Sequence, residues 1–224
     1  MKRPHKKGTW GGKREGAGRK PKPGGPGVPH GARFDHDPRH PVRITLRATK
    51  DVPNLRTPPV FLSIRRAIGQ TGRVWFRVVH FSVQADHIHL LVEADDKLGL
   101  SRGITGFSIR LARTINAVLR RSGRVWADRY DARALRTARE VREGLVDVLM
   151  NWKRHIAGAK GIDPCSSGWW FDGWKAPPTS RPADWEFDAP PVEAPRTSLL
   201  RQGWKRDGPL SLNERPQGAT DRVA

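Results

Sequence analysis

"RVWFRVVHFSVQADHIHLLVEA", residues 73–94, decides the fold of this chain. Its first half, residues 73–84, is rich in β-branched and aromatic residues and reads as a strand. Its second half, residues 85–94, reads as another, with a tight turn near Ala85–Asp86 between them. Strands joined this closely pair antiparallel. In the second strand His87 and His89 stand two residues apart. Side-chain alternation puts both imidazoles on one sheet surface, about 6–7 Å apart at Cα, while Ile88 and Leu90 point to the other. Such a pair has two readings: two nitrogens converging on one cation, or two polar residues on a solvated sheet side.

Outward from the hairpin the pattern is regular. Upstream, "VRITLRA" (42–48) alternates Ile44 and Leu46 with polar residues, a strand. "VFLSIRRAIGQ" (60–70) places Val60, Ile64 and Ile68 at helical spacing. Downstream, residues 100–123 repeat Ile104, Phe107, Leu111, Ile115 and Val118 with arginines between them. That is an amphipathic helix with a basic outer side, Ser101 as its cap and Gly123 as its stop. "RVWADRYDARAL" (124–135) reads as a fourth strand. Residues 138–158 put Val141, Leu145, Val148, Leu149, Trp152 and Ile156 on one helical face that ends at Gly158. The order β-α-β-β-α-β-α predicts an α+β, ferredoxin-like fold: a four-stranded antiparallel sheet with helices on one side. The other side is left for a ligand or a further element.

This domain spans residues 41–158. Residues 1–40 read as a basic, disordered arm rich in Gly, Pro and cations. Its "GRKPK" resembles the core of an AT-hook, a minor-groove element; a solvated basic tail is the other reading. Residues 159–224 read as an irregular Pro- and Trp-rich tail. The rings of "SSGWWFDGW" (166–174) are too many and too large for free chain, so some of Trp169, Trp170 and Trp174 are expected to dock.

Of 224 residues, 36% are hydrophobic, and the net charge is +20. From Asp163 onward eight Lys/Arg face nine Asp/Glu, a net −1, so residues 1–162 carry +21. Such a field points to a polyanion, nucleic acid first. No helix pairs a basic side with a Trp/Phe/Leu-rich one, as a membrane-surface helix would. The single cysteine, Cys165, excludes an internal disulfide framework. No apolar run approaches the roughly 20 residues that span a bilayer, and the basic N-terminus lacks a secretory apolar stretch. The cytoplasm is the expected compartment.

A third group bears on the histidines. Asp147 and Asn151 are four apart and share a face of the last helix, flanking its apolar stripe. If that helix packs beside the third strand, Asn151 completes a neutral N,N,O set with His87 and His89. Such a set suits a divalent ion that also takes phosphate oxygens from a substrate.

Four ordered blocks, "VHFSVQADHIHLLVEA", "LSRGITGFSIRLARTIN", "GRVWADRYDARALRT" and "VLMNWKRH", together resemble the REP-associated tyrosine transposases, of the HUH class. The likeness runs from about His40 to His155. The terminal "TSLLRQGWKRDGPLSLNERP" and the opening "KRPHKKGTWGGKREGAGRKPK" are similar to segments of one branch of that family. The resemblance implies a ferredoxin-like fold acting on single-stranded DNA, often beside a hairpin, often as a homodimer. It implies that His87 and His89 hold Mg²⁺ or Mn²⁺ and that Asn151 matches the helical amide ligand. The family's nucleophile is a tyrosine one turn before that amide, which becomes linked to a 5′ phosphate.

At that position the chain departs from the family, because Asp147 replaces the tyrosine. The one tyrosine, Tyr130, matches a position outside the catalytic helix, and Asp131 stands where histidine is usual. A carboxylate attacking phosphorus gives an acyl phosphate, which water cleaves readily. Three outcomes stay open: Asp147 as an added metal ligand with water as nucleophile, binding without catalysis, or Tyr130 as a substitute nucleophile. The expected DNA contacts are Arg102, Arg110, Arg113, Arg129 and Tyr130, with Arg120, Arg121 and Arg124 nearby and Trp75 and Trp126 as stacking platforms. Two rival functions share the scaffold, a catalytically silent DNA-binding protein or repressor and an RNA-binding module. The strands carry no RNP-type aromatic motif, which ranks RNA last.

Overall fold

The first strand, β1 (Val42–Arg47), sits inside the sheet, between two later strands. The structure is a computed structural model, and it describes residues 34–176 and 189–217. The arm, apart from its last residues, lies outside the described residues. After β1 come α1 (Pro58–Gly69), β2 (Phe76–Val83), β3 (His87–Ala94), α2 (Lys97–Val118), β4 (Asp131–Ala134) and α3 (Ala138–Leu149). The sheet order is β2-β3-β1-β4 and every pairing is antiparallel. Two βαβ crossovers with their outer strands interleaved give this order, the split ferredoxin-like topology expected from the pattern.

Each helix forms for a local reason. Pro58 opens α1, where a missing N–H costs nothing, and Val60, Phe61, Ile64, Ala67 and Ile68 bury one stripe. α2 begins earlier than expected. Asp96, not Ser101, is its cap, accepting from Gly99 N at 2.6 Å, because the helix runs one full turn further back. Its end is set by Arg120 in a left-handed conformation (φ 50°) and by Asn116, whose Nδ2 donates to Gly123 O. α3 starts on a capping box formed by Thr137 and Glu140.

Two departures from expectation matter. β4 is only four residues long, and residues 124–130 form a loop touching the sheet through an Ala48–Trp126 bridge. α3 does not run on to Gly158. It ends at Leu149, Met150 leaves helical geometry (φ −109°, ψ 9°), and a tighter 3-10 turn covers Asn151–Arg154. Asp147 and Asn151 therefore do not stack on one continuous α-helix.

The sheet has two unlike sides. Ile44, Leu46, Phe81, Val83, Ile88, Leu90 and Val92 pack against α1 and α2 in the main core. Val79 and Leu91 pack against α3 and the C-terminal residues in a second core. This is why all eight residues of β2 are buried.

Most of the described part of residues 159–224 belongs to that second core, while Cys165 lies in the main one and Trp170 and Val192 pack against it. Trp174, Trp204 and Leu210 are buried in the second core, while Trp169 and Trp170 are half-buried. α4 (Ser198–Arg201) and further 3-10 turns lie here. The outer edge of β2 is covered as well. Val83 N donates to Cys165 O, Phe81 N to Ser167 Oγ, and Glu193 N to Val78 O. A covered edge cannot recruit foreign strands. Two buried acids fasten this wrapping. Asp163 takes the Arg56 guanidinium through both oxygens, at 3.0 and 2.7 Å. Glu93 accepts from Arg196 N, Thr197 N and Thr197 Oγ1, with Arg77 at its side.

Candidate metal and nucleic-acid site

β1, β3 and β4 place their polar residues on the side away from α1 and α2. In register, Arg47 stands opposite His87, and Thr45 stands opposite both His89 and Asp131. The two imidazoles meet edge to face, with ring centroids 4.7 Å apart. His87 is buried and its Nδ1 donates to Asp86 Oδ1 at 2.6 Å. His89 Nδ1 lies 3.1 Å from Thr45 Oγ1. Each ring is thus oriented through Nδ1, leaving Nε2 for another partner. A carboxylate behind a histidine is the support that metal-ligating imidazoles commonly have.

The 3-10 turn brings a third imidazole. The His155 ring lies 5.2 Å from that of His87, and His155 Nε2 donates to Asn151 Oδ1 at 3.1 Å. Asn151 is buried and reaches the histidine pair by way of His155. Among the described residues, no group of three or more His, Cys, Asp or Glu side chains is placed to hold a metal ion. The neutral donors that could meet a cation here are the two Nε2 atoms, with the Asn151 amide oxygen beside them by way of His155, a kind of set that fits an ion carrying phosphate oxygens.

Charge around the pair is strongly positive. Burial, then His87, Arg43, Arg47 and Arg154, hold the His89 imidazole well below its ordinary value, so it is neutral at pH 7. Burial and then His87 also lower His155. Neutral imidazoles are the form a metal takes. Asp86 is held low: burial opposes this, but the His87 hydrogen bond and charge outweigh it.

Asp147 faces other partners. Its Oδ2 accepts from Arg43 Nη1, and its Oδ1 from Arg154 Nη2 at 3.0 Å. It lines a cavity of about 240 Å³ with Arg133, Arg142 and Arg215. The carboxylate is engaged by guanidiniums, not by the imidazoles.

The expected DNA contacts divide. Arg102 and Arg113 are exposed on α2. Arg110 instead donates to Gln70 O and Thr71 Oγ1, binding α2 to the end of α1, because the two helices lie side by side. Tyr130 is buried in the main core, 8% exposed. Arg129 and Tyr130 line a cavity of about 510 Å³ with Thr105, Ser108, Ile109 and Trp126. The Trp126 indole is fixed there by its Nε1–H to Ser108 O, 2.9 Å. Trp75 is 39% exposed.

Residues 63–143 match the family model described as transposase IS200-like. The IS200-like segment holds His87 and His89 and stops before Asp147 and Asn151. A solved structure described as the REP-associated tyrosine transposase bound to a REP hairpin is similar over 57% of this chain and 74% of that one. The identity is 17% and the TM-score 0.45. The comparison with curated proteins gives no match. No helix among the described residues is long and apolar enough to cross a membrane.

Arg43, Arg47, Arg154, His155 and Asp86 did not emerge as site residues from the sequence. For the first two a signal existed: Arg43, Thr45 and Arg47 alternate along β1 on the histidine side.

Proposed function

We propose that this chain binds single-stranded or hairpin DNA in the manner of a transposase, with a divalent cation, Mg²⁺ or Mn²⁺, at the histidine pair. His87 and His89 hold the cation through Nε2 and Asn151 through its amide oxygen. When bound, the cation supplies Lewis-acid polarisation of a phosphate oxygen. Arg47, at the end of β1, draws the strand's phosphates toward the imidazoles, and the exposed Arg102 and Arg113 add attraction from α2. The groove at Trp126 lies beyond Arg47, around the end of the same strand.

The phosphotyrosine route has no residue to carry it. Asp147 stands at the nucleophile's position with both oxygens engaged by guanidiniums, and the Tyr130 ring is in the core. The proposed function is therefore DNA binding without covalent strand transfer, as in a repressor or a strand-holding partner in transposition. The observation that carries it is the imidazole pair, each ring anchored through Nδ1 within a ring of arginines.

The test is fluorescence anisotropy with hairpin-flanked single-stranded DNA, with and without Mn²⁺, followed by denaturing gels. Expected are binding that weakens steeply with salt, help from Mn²⁺ that is lost in His87→Ala, and no covalent adduct. Nicking by the natural chain that His87→Ala abolishes makes it a nuclease with water as nucleophile. Absence of binding at low salt ends the DNA reading.

A further inference from the structure

Two guanidiniums from distant parts of the chain converge on one small anion. Arg43 comes from β1 and Arg154 from the 3-10 turn after α3, and each takes one oxygen of Asp147. Arg154 is further steadied by Gln217 O, to which the same Nη2 donates at 2.5 Å. None of the three side chains is sealed. Their exposures are 24% for Arg43, 22% for Asp147 and 33% for Arg154, so solvent and a solute both reach the pairing. The cluster adjoins the imidazoles, since Arg43 lies two residues before Thr45, which is 3.1 Å from His89, and Arg154 precedes His155, whose ring lies 5.2 Å from that of His87.

We propose that Arg43 and Arg154 form a seat for a backbone phosphodiester of single-stranded DNA, and that the Asp147 carboxylate fills this seat when no DNA is bound. A phosphodiester presents two anionic oxygens, as a carboxylate does, and guanidinium forks bind either ligand through paired N–H groups. Asp147 is thus an internal competitor for the strand. α3 is held independently by its capping box and by the buried Val141, Leu145, Val148 and Leu149. The inference rests on the DNA-binding reading above and adds one seat to it.

The competition has a measurable sign. In the full chain, Asp147→Asn keeps the shape of the side chain and removes its charge. It is expected to tighten an unstructured single-stranded oligonucleotide by about fivefold or more at low salt. Arg43→Gln is expected to weaken it and to lower the salt dependence by about one counterion. In the Arg43→Gln background the gain from Asp147→Asn should largely disappear, because half the seat is gone. Asp131→Asn, an exposed acid on the same sheet side, controls for charge alone and should gain much less. Arg154→Gln, at the surface, provides a second arm that does not depend on how the Asp147 variant folds, and it too should weaken binding. The seat is overturned if Asp147→Asn gains nothing, if its gain survives intact without Arg43, or if Asp131→Asn gains as much. Equal binding by all variants sinks the seat alone; no binding by any of them sinks the DNA reading as well.

Discussion

The two sides of one sheet are built by different rules. Toward α1 and α2 the strands show only apolar groups, and a 22-residue α2 covers them along its length. On the opposite side α3 has 12 residues, about 18 Å of helix, and stops at Leu149. Apolar residues on that side, Val79 and Leu91, lie under α3 and the C-terminal wrapping. Arg43 meets the last turn of α3 through Asp147, and Thr45, Arg47, His87 and His89 follow along the strands toward the 3-10 turn. The candidate site sits where the cover runs out. The apolar side makes the fold stable, and the short helix leaves the other side a place to work.

The largest effect should come from the apolar side. Leu90→Ala removes a fully buried side chain and should cost about 2–5 kcal/mol in urea denaturation, with DNA affinity of the folded fraction unchanged. A polar change under the wrapping should come next. Glu93→Gln leaves the buried Arg77 with only the exposed Asp95, at 3.8 Å, as an acidic partner and weakens the hold on Arg196 and Thr197. A loss of about 3 kcal/mol is expected, with faster proteolysis around residue 196 while the α1/α2 side stays protected. If both variants lose stability without that local difference, the two sides do not behave as separate units.

A third probe is pH. His80 is buried, faces Ser167 Oγ and the Phe171 ring, and is lowered to about 4 by burial, which Asp172 only partly offsets. Its folded value lies below its unfolded one, so the unfolded chain binds more protons between them. Stability is full above about pH 6.5 and falls as pH drops toward 4, by about 2 kcal/mol between pH 7 and pH 5 from this group alone. Thermal melts of His80→Gln should show a shallower acid decline. The smallest effect belongs to the site. His87→Ala should shift metal-free stability by less than about 1 kcal/mol, yet should abolish any rise in Tm on adding Mn²⁺.

How much of this could be read from the chain follows the same division. Periodicity gave the strands, their order and α1 and α2, because an apolar side leaves a regular trace at every second or fourth residue. It extended α3 too far. Trp152 and Ile156 continue the apolar spacing of that helix, but the chain leaves helical geometry at Met150, and no glycine or proline there marks the change. β4 was drawn too long for a similar reason, since the apolar Val125 is buried and Trp126 half-buried although both lie in a loop. At the site the histidines stood out by type and spacing. Their support did not. Asp86 adjoins the turn, where an acid is ordinary, and Arg43 and Arg154 acquire meaning only when β1 and the 3-10 turn meet Asp147.

The fastening of Glu93 to Arg196 and Thr197 has a consequence for the order of events during synthesis. A chain emerging from the ribosome N-terminus first has all four strands by Ala134, about sixty residues before Thr197 exists. Until then the Glu93 carboxylate has no backbone donors from that segment, and the flank of β2 gains its first cover only with residues 165–167. The nascent protein must pass through an interval in which its sheet is complete but its outer strand is open to neighbouring polysomes, and slow translation of residues 135–197 should lengthen it.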